Sequence, residues 1–223
     1  MPISAQELAR MMDATLTTTT AGVKEMEDLI AFARENHVYS LITNRWFIPM
    51  IVEGLRGTDT LPGSGCSATN GSDLTEVKAF AARRNIELGC AECDMVMNIP
   101  LFKSGLYDEV VKDIRAVKDA VGDKPLKCII EVGILSDEEI TRATELVIEG
   151  GADFVKTATG KLPDPTTVHQ VEVISRANRG RIAIKAAGGI RTLETVQQMI
   201  DLGVSRFGVG SGSAAKLLAA AGR

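Results

Sequence analysis

The sequence predicts a single (β/α)8 TIM barrel with a short N-terminal helix, formed as one domain by residues 1–223. Short apolar runs alternate with amphipathic segments roughly eight times, which is the repeat number of such a barrel. This alternation implies parallel strands joined by right-handed helical crossovers. No linker, low-complexity tract or change of composition divides the chain. An open doubly wound sheet is the alternative if residues 60–67 do not form a strand.

The helices are predicted from apolar residues at helical spacing and from the residues that begin and end them. Ser4 and Glu7 have the spacing of a capping box, which begins the opening helix. Gly150 and Gly151 end a later helix, because glycine readily takes the left-handed conformation that follows helices. The other predicted helices cover residues 23–35, 47–55, 73–84, 107–121, 136–150, 166–178, 192–202 and 213–220.

The strands are predicted from short apolar or alternating runs between these helices. The third is the least strand-like, because it is rich in Gly, Ser and Pro. The predicted strands cover residues 11–15, 39–43, 60–71, 92–98, 126–132, 154–157, 182–186 and 206–209.

Composition argues against several classes of function. The 25 basic and 29 acidic residues give a net charge of −4, and no basic block occurs that would bind nucleic acid. No apolar run approaches the length of a membrane span, and residues 1–10 lack the apolar core of a signal peptide. We therefore expect a cytoplasmic protein with no nucleic-acid or membrane partner.

Cysteine and histidine spacing does not indicate a metal centre. Cys90 and Cys93 have the spacing of half a zinc site or a redox pair, but no second pair or nearby histidine completes it. We expect no metal, and cysteines that are reduced and packed in the core. The four cysteines are Cys66, Cys90, Cys93 and Cys128.

Several predicted strands carry charged residues at alternate positions. Alternate residues of a strand share a face, so the charged faces should line the barrel interior while the apolar faces pack under the helices. Buried charges persist when they are paired, and the set is balanced. It comprises Lys127, Lys156 and Lys185 with Glu92, Asp94 and Glu131. One interpretation is structural ion pairing, which applies best to Lys127, Glu92 and Glu131 because they lie deeper in their predicted strands.

Lys156 and Lys185 are predicted near the C-terminal ends of consecutive strands, where barrel active sites form. Burial lowers the pKa of a lysine, and two neighbouring ammonium groups lower each other's pKa. A lysine that is neutral near pH 7 is a nucleophile for carbonyl carbons. Lys156 is therefore the candidate nucleophile, with Asp94 as a proton carrier. The alternative is that Lys156 merely extends from its strand end into water.

Glycine turns follow the last three predicted strands. Backbone N–H groups in such turns, together with the start of a short helix, can cradle a phosphate. A single glycine pair is usually only a turn, whereas three turns at successive strand ends, one with a lysine, favour a phosphate site. The turns are Thr159-Gly160-Lys161, Gly188-Gly189 and Gly210-Ser211-Gly212.

Long motifs in this sequence resemble those of the deoxyribose-phosphate aldolases. The most specific are Gly-Ala-Asp-Phe-Val-Lys-Thr-Ala-Thr-Gly at residues 151–160 and Ile-Lys-Ala-Ala-Gly-Gly-Ile-Arg at residues 184–191. The resemblance implies a (β/α)8 barrel that cleaves 2-deoxyribose 5-phosphate to acetaldehyde and glyceraldehyde 3-phosphate without a metal or other cofactor. It implies a small sugar phosphate as the partner molecule, and it is compatible with a homodimer. Further matches lie at residues 92–98, 126–131 and 206–212.

Carried over by motif, the resemblance implies roles for particular residues. Lys156 would be the Schiff-base lysine, with Asp94 and Lys185 as the proton-transfer pair. The residues implied in binding the substrate and its phosphate are Thr159, Gly160, Lys161, Gly188, Gly189, Gly210, Ser211, Asp13 and Asn44.

The sequence departs from the family pattern in the first half of the predicted barrel. Residues 67–71 read Ser-Ala-Thr-Asn-Gly where the family usually has Gly-Phe-Pro-x-Gly, and Ile42 stands where a cysteine is common. Two other functions are compatible with the residues. One is a Schiff-base lyase acting on a different phosphorylated sugar or on an unphosphorylated aldol, and the other is a non-catalytic sugar-phosphate binder on the same barrel.

Overall fold

The computed structural model describes residues 3–162 and 164–222 and shows a closed barrel of eight parallel strands in sequence order. The first strand pairs with the last, with Asp13 beside Gly208. The predicted fold is therefore confirmed, and the open sheet is excluded. Residues 1, 2, 163 and 223, which the predicted domain includes, lie outside the described part. The strands are β1 (Met12–Leu16), β2 (Ser40–Thr43), β3 (Leu61–Gly65), β4 (Glu92–Val96), β5 (Leu126–Ile129), β6 (Phe154–Lys156), β7 (Ala183–Ala187) and β8 (Val204–Gly210).

Ten α-helices occur among the described residues. They are α1 (Ala5–Ala9), α2 (Val23–Asn36), α3 (Ile48–Gly54), α4 (Thr75–Glu87), α5 (Ile99–Lys103), α6 (Tyr107–Val121), α7 (Asp137–Glu149), α8 (Val168–Asn178), α9 (Leu193–Asp201) and α10 (Ser211–Ala221). Ser4 and Glu7 form the predicted capping box of α1, and Ser136 with Glu139 begins α7 in the same way. None of the described helices is long and apolar enough to cross a membrane.

Three predicted strands were too long by two residues or more at their C-terminal ends, namely those over residues 60–71, 92–98 and 126–132. The chain stays buried after β4 and β5, so hydrophobicity alone did not mark those two boundaries, whereas residues 68–70 after β3 are exposed. The Asn98 side chain accepts a hydrogen bond from Leu101 N–H and begins α5, a helix that the sequence analysis missed. Glu131 has φ 59° and ψ 61°, a left-handed conformation that ends β5 earlier than predicted.

The apolar faces of the strands pack beneath the helices, as expected from their period of two. Met95, Val155 and Ile184 are almost fully buried there. All four cysteines are buried and unbonded, which confirms the prediction of packed thiols. Burial, with a smaller contribution from Cys93, raises the pKa of the Cys90 thiol to about 12, so it is inert near neutral pH.

One buried ion pair lies outside the barrel interior. Lys78 on α4 and Asp113 on α6 are fully buried, and their Nζ and Oδ2 atoms are 2.6 Å apart. The sequence analysis did not predict this pair, because lysine and aspartate on amphipathic helices usually face solvent. The pair joins two helices that lie against each other.

Candidate active site

The barrel interior contains a cluster of charged side chains from six strands. Its contacts join three carboxylates to four cationic groups, as most of the interior charges were predicted to do. The carboxylates and the cations alternate in space, which is the arrangement that lets buried charges persist. We call this group the interior cluster; its members are Asp13, Glu92, Asp94, Lys127, Lys156, Lys185 and Arg206.

Lys156 is the last residue of β6. Among the lysines of the interior cluster, it lies closest to the barrel mouth. Its Nζ lies 2.7 Å from Asp94 Oδ2, and its side chain is 10% exposed. Burial lowers the pKa of Lys156 to about 8; Asp94 opposes this effect, and the ammonium of Lys185 adds to it. About a tenth of Lys156 is therefore a neutral amine at pH 7, far more than for an unperturbed lysine, in agreement with the lowered pKa predicted from the sequence.

Lys185 lies in the middle of β7, and not near its end as predicted. Strand register still places it beside Lys156. Its side chain is fully buried, with Nζ 2.5 Å from Asp13 Oδ2 and 3.0 Å from Asp94 Oδ2. Burial raises the pKa of Asp94, but Lys156, Lys185 and Lys127 outweigh it and hold that pKa well below its usual range. Asp94 is therefore a stable carboxylate between two amines.

The deeper members form the structural part of the cluster. Lys127 Nζ lies 2.6 Å from Glu92 Oε1 and 3.5 Å from Asp13 Oδ2, so the predicted ion pairing of Lys127 and Glu92 is confirmed. Arg206, which the sequence analysis did not single out, bonds Asp13 at 3.1 Å and stacks 3.2 Å from the centre of the Tyr39 ring. Arg206 could have been recognised from the sequence, because it is a lone charge in the apolar run of β8.

Two predictions about carboxylates need correction. Asp13 was expected to bind substrate, but it is fully buried and its oxygens contact Lys185, Lys127 and Arg206. Asp13 therefore holds the cluster together from below and has no surface for a ligand. Glu131 was expected in an interior ion pair, but it lies beyond β5 and its oxygens accept from the Thr159 N–H group.

Above the cluster, the C-terminal mouth of the barrel holds two adjacent cavities that share part of their lining, which we call the first lobe and the second lobe. The first lobe, about 230 Å³, opens over strands β1 to β4. The second lobe, about 240 Å³, opens over β6 to β8 and their glycine turns. Lys156 lines both lobes, so its amine faces any molecule that spans them. The residues shared by the two lobes are Thr15, Thr17, Lys156, Thr159 and Lys161.

The first lobe is lined mainly by polar side chains. Asn44 lies there, as predicted for a substrate-binding residue, and its amide nitrogen is 3.5 Å from the Thr18 carbonyl. The loop of residues 67–71 contributes Ser67 and Thr69, so the segment that departs from the family pattern does reach the cavity. Further hydroxyl and cationic groups of this lobe come from Thr43, Arg45 and Ser64.

The second lobe brings together most of the predicted phosphate-binding residues. Lys161 Nζ donates to the Thr17 carbonyl at 2.6 Å and thereby bridges the boundary between the lobes. Ser211 begins α10 and is not part of the lining; Ser213, two residues further into the helix, lies there instead. Arg191 also lines this lobe and was missed, although it ends the motif at residues 184–191. The predicted residues that line it are Thr159, Gly160, Lys161, Gly188, Gly189 and Gly210.

Backbone geometry requires glycine at the turn after β7. Gly188 and Gly189 have φ of 94° and 74°, which side chains with a Cβ rarely adopt. A Cβ on Gly189 would lie 2.4 Å from Pro165 Cβ.

Within the described ranges, no three His, Cys, Asp or Glu side chains are grouped as a metal ion would need. The chemistry that this arrangement can perform is amine addition to a carbonyl carbon beside a carboxylate and an ammonium.

Comparison with known proteins agrees with this geometry. The profile described as DeoC/LacD family aldolase matches residues 17–216. The deoxyribose-phosphate aldolase of Deinococcus radiodurans is 40% identical over 205 residues, which cover 92% of this chain and 93% of that protein. The deoxyribose-phosphate aldolase of Staphylococcus carnosus is 37% identical over 206 residues, with 92% and 94% covered.

Solved structures give the same result. The structure of QR15, an aldolase, matches with a TM-score of 0.89 at 32% identity and covers 95% of this chain and 94% of that one. The tetrameric deoxyribose phosphate aldolase of Aeropyrum pernix matches at 23% identity with a TM-score of 0.85, covering 97% and 92%, and supports the fold. With the profile match over residues 17–216, these findings show that the chain belongs to the DeoC/LacD aldolase family.

Proposed function

We propose that this chain is a class I aldolase that cleaves 2-deoxy-D-ribose 5-phosphate to acetaldehyde and D-glyceraldehyde 3-phosphate through a Schiff base on Lys156. The observation that carries the proposal is the buried Lys156 amine, which has a pKa of about 8 and faces both lobes. The names of the relatives with 40% and 37% identity point to the same carbon–carbon lyase reaction.

The reaction begins when the neutral amine of Lys156 adds to the aldehyde carbon of the open-chain sugar. Loss of water gives a protonated imine, which is an electron sink. Removal of the proton from the C3 hydroxyl then breaks the C2–C3 bond, and the electron pair passes into an enamine on Lys156. Glyceraldehyde 3-phosphate leaves, the enamine takes a proton at C2, and water releases acetaldehyde.

Asp94 and Lys185 serve as the proton-transfer pair in this proposal. The Asp94 oxygen that contacts Lys156 at 2.7 Å also contacts Lys185 at 3.0 Å, so one carboxylate joins the two amines. Such an arrangement can accept a proton at the reacting end and return it later in the cycle. The fully buried position of Lys185 implies that it acts through Asp94 or through a water molecule.

The second lobe is the phosphate site in this proposal. Gly188, Gly189 and Gly210 leave backbone N–H groups uncovered by side chains, which suits close approach of an anion. Lys161 and Arg191 add positive charge, and Ser213 lies in the first turn of α10, where the helix dipole favours an anion. The sugar then extends from this lobe across Lys156 into the first lobe.

A second candidate is the same chemistry on a more highly hydroxylated sugar phosphate. The observation that favours it is the polar lining of the first lobe, where Ser67 and Thr69 replace the pattern usual in the family. Hydroxyl groups in a pocket favour substrates that return their hydrogen bonds.

The deciding experiment measures release of the two-carbon aldehyde from a panel of aldoses by the purified protein, which is acetaldehyde from the 2-deoxy sugars and glycolaldehyde from ribose 5-phosphate. 2-Deoxyribose 5-phosphate should be cleaved with the highest kcat/KM, ahead of unphosphorylated 2-deoxyribose and of ribose 5-phosphate, and Lys156→Ala should be inactive. A higher kcat/KM for the hydroxylated sugar phosphate would favour the second candidate. Binding without cleavage would make the protein a non-catalytic sugar-phosphate binder.

The proposal also covers the extent of the domain and its cellular compartment. Residues 1–223 act as one aldolase domain, because the strands of the barrel extend from residue 12 to residue 210. Free, buried cysteines suit the reducing cytoplasm.

A homodimer would cover the apolar stripe at α4, where Leu74, Val77 and Phe80 are 66%, 47% and 61% exposed. Sedimentation velocity should show a dimer that Phe80→Glu converts to monomers.

A further inference from the structure

A β-bulge follows β5 next to the strand that carries Lys156. Ile130 N–H donates to the Lys156 carbonyl at 3.0 Å, and Val132 N–H donates to the Thr157 carbonyl at 2.9 Å. In a regular parallel ladder, two donors that are two residues apart meet acceptors that are also two residues apart. Here the acceptors are adjacent, so the β5 side holds one extra residue, which is Glu131.

The extra residue has an unfavourable backbone conformation. Glu131 has φ 59° and ψ 61°, the left-handed region that costs free energy for a residue with a Cβ. Two other described non-glycine residues have positive φ, His37 and Arg179, and each lies directly after a helix, α2 or α8, where this conformation is common. Glu131 follows a strand, so ordinary helix ending does not explain it. Strain of this kind often accompanies function.

The bulge changes the direction of the Glu131 side chain. In a regular strand, residues 127, 129 and 131 share a face, which would direct the Glu131 carboxylate toward the interior cluster with Lys127. A fourth carboxylate there would balance the four cationic groups and favour the protonated form of Lys156. The bulge instead directs the carboxylate to the loop that follows β6.

At that loop the carboxylate holds one peptide group. Both Glu131 oxygens lie 3.2 Å from Thr159 N, and the glutamate is 4% exposed. Thr159 in turn accepts from Lys161 N–H through its Oγ1 at 3.1 Å. Lys161 then reaches the Thr17 carbonyl. A chain of hydrogen bonds therefore connects Glu131 to the lysine at the boundary of the two lobes.

We propose that Glu131 is a positioning residue that sets the Thr159–Lys161 loop for binding the substrate phosphate. The proposal rests on the function proposed above for the second lobe. Glu131 touches no substrate atom. It accepts the hydrogen bond of the Thr159 N–H group, so that the phosphate is bound by the glycine turns, Arg191 and Lys161. Loss of the carboxylate releases the loop and weakens recognition of the phosphate more than it affects the Lys156 amine.

The test compares Glu131→Gly and Glu131→Gln with the matched control Arg179→Gly. Glycine relieves the left-handed strain and removes the carboxylate, whereas glutamine keeps one oxygen that can accept from Thr159 N–H. Arg179→Gly relieves the same backbone strain at an exposed position after α8. The first readout is amide hydrogen exchange in a peptide covering residues 157–162, which needs no substrate. The second is the ratio of kcat/KM for 2-deoxyribose 5-phosphate to that for 2-deoxyribose.

Glu131→Gly should fold with an undiminished melting temperature, and its amides at residues 157–162 should exchange faster. The ratio of kcat/KM for 2-deoxyribose 5-phosphate to that for 2-deoxyribose should fall at least about tenfold, as expected for the loss of a charged hydrogen bond. Most of this fall should come from a higher KM for the phosphorylated sugar. Borohydride trapping of acetaldehyde on Lys156 should persist. Glu131→Gln should retain most of the preference, and Arg179→Gly all of it. Unchanged exchange in Glu131→Gly, or faster exchange with an unchanged preference, would overturn the positioning role. A wild-type enzyme without phosphate preference would overturn the proposed function itself, and with it the phosphate role of Glu131, whatever the variants do.

Discussion

Lys156 and Lys185 share one carboxylate oxygen, Asp94 Oδ2, at 2.7 Å and 3.0 Å. The interior cluster has four cationic groups and three carboxylates, so it carries one positive charge in excess when all of them are ionised. Lys156 is the lysine of the cluster with a side chain that reaches the cavities, and burial lowers its pKa to about 8. The charge imbalance therefore falls on the amine that the proposed reaction needs in its neutral form.

The first prediction concerns the imine. Incubation with acetaldehyde and borohydride should add one ethyl group to the protein, and peptide mapping should locate it on Lys156, because that lysine combines a lowered pKa with access to the cavities. Lys156→Ala should form no such adduct, and Lys161→Ala, which retains Lys156, should still form it. An active enzyme that forms its adduct only on another residue would contradict the proposed mechanism.

The second prediction concerns pH and Lys185. Attack requires neutral Lys156, so kcat/KM should fall as pH decreases below about 8 and level off above it. Lys185→Met removes a positive charge that disfavours protonation of Lys156, so the pKa of Lys156 should rise and the limb of the profile should move to higher pH. We expect kcat to fall at least about a hundredfold.

The matched control for that experiment is Lys78→Met. It removes an equally buried lysine of an ion pair outside the barrel interior. Its melting temperature should fall, but the pH below which kcat/KM decreases should stay the same as in the wild type. If Lys185→Met behaves in the same way, Lys185 is an ion-pair residue of the barrel and not a member of the proton-transfer pair.

The third prediction concerns stability. The pKa of Lys156 is about 8 in the folded state and 10.5 without perturbation, so the unfolded state binds more protons between these values and folding becomes more favourable as pH rises through that window. Lys156→Met removes this penalty. At pH 7 the variant should be at least as stable as the wild type, with a gain of up to about 3 kcal/mol. Urea unfolding should show the gain shrinking toward pH 10; a large loss at pH 7 would contradict the charge-excess argument.

The fourth prediction concerns Lys161. Lys161→Ala removes one charge-assisted phosphate contact, worth about 1.5–3 kcal/mol or roughly ten- to a hundredfold in kcat/KM. The loss should apply to 2-deoxyribose 5-phosphate and should be small for 2-deoxyribose. Equal losses for the two sugars would mean that Lys161 acts only as a brace to the Thr17 carbonyl.

The fifth prediction distinguishes two glycines of the second lobe. Gly189→Ala should lower the melting temperature, because its φ is 74° and the new Cβ would lie 2.4 Å from Pro165 Cβ. Gly210→Ala should fold normally, since no atom lies within 4 Å of that Cβ, but it should raise KM for the phosphorylated sugar. A normal KM would remove Gly210 from the phosphate site.

The order of the elements and the interior lysines could be predicted because both depend on local periodicity. The pattern of alternate residues put Lys127 and Lys156 inside the barrel, where the structure has them. Strand ends could not be predicted as well, since Ile99 and Phe102 remain buried after β4 in a short helix. Periodicity also fails at a bulge, so Glu131 was assigned to the wrong face.

Roles that depend on distant partners were the hardest to predict. The family resemblance implied that Asp13 binds substrate, and only its contacts with Lys185 on β7 and Arg206 on β8 show that its carboxylate is already occupied. Lys78 and Asp113 come from separate helices, and no local pattern marks them as partners. Sequence alone therefore predicted the position of the candidate lysine but not the residues that hold its neighbours.

Asp13 and Arg206 are 193 positions apart, and their contact forms where the last strand closes on the first. Lys185 and Lys127 both contact Asp13, so the environment of Lys156 is complete only after that closure. We expect a chain that has not yet added its last strand to carry Lys156 as an ordinary protonated lysine. Under the proposed mechanism, its amine would gain the neutral fraction needed to attack an aldehyde only once the barrel has closed around it.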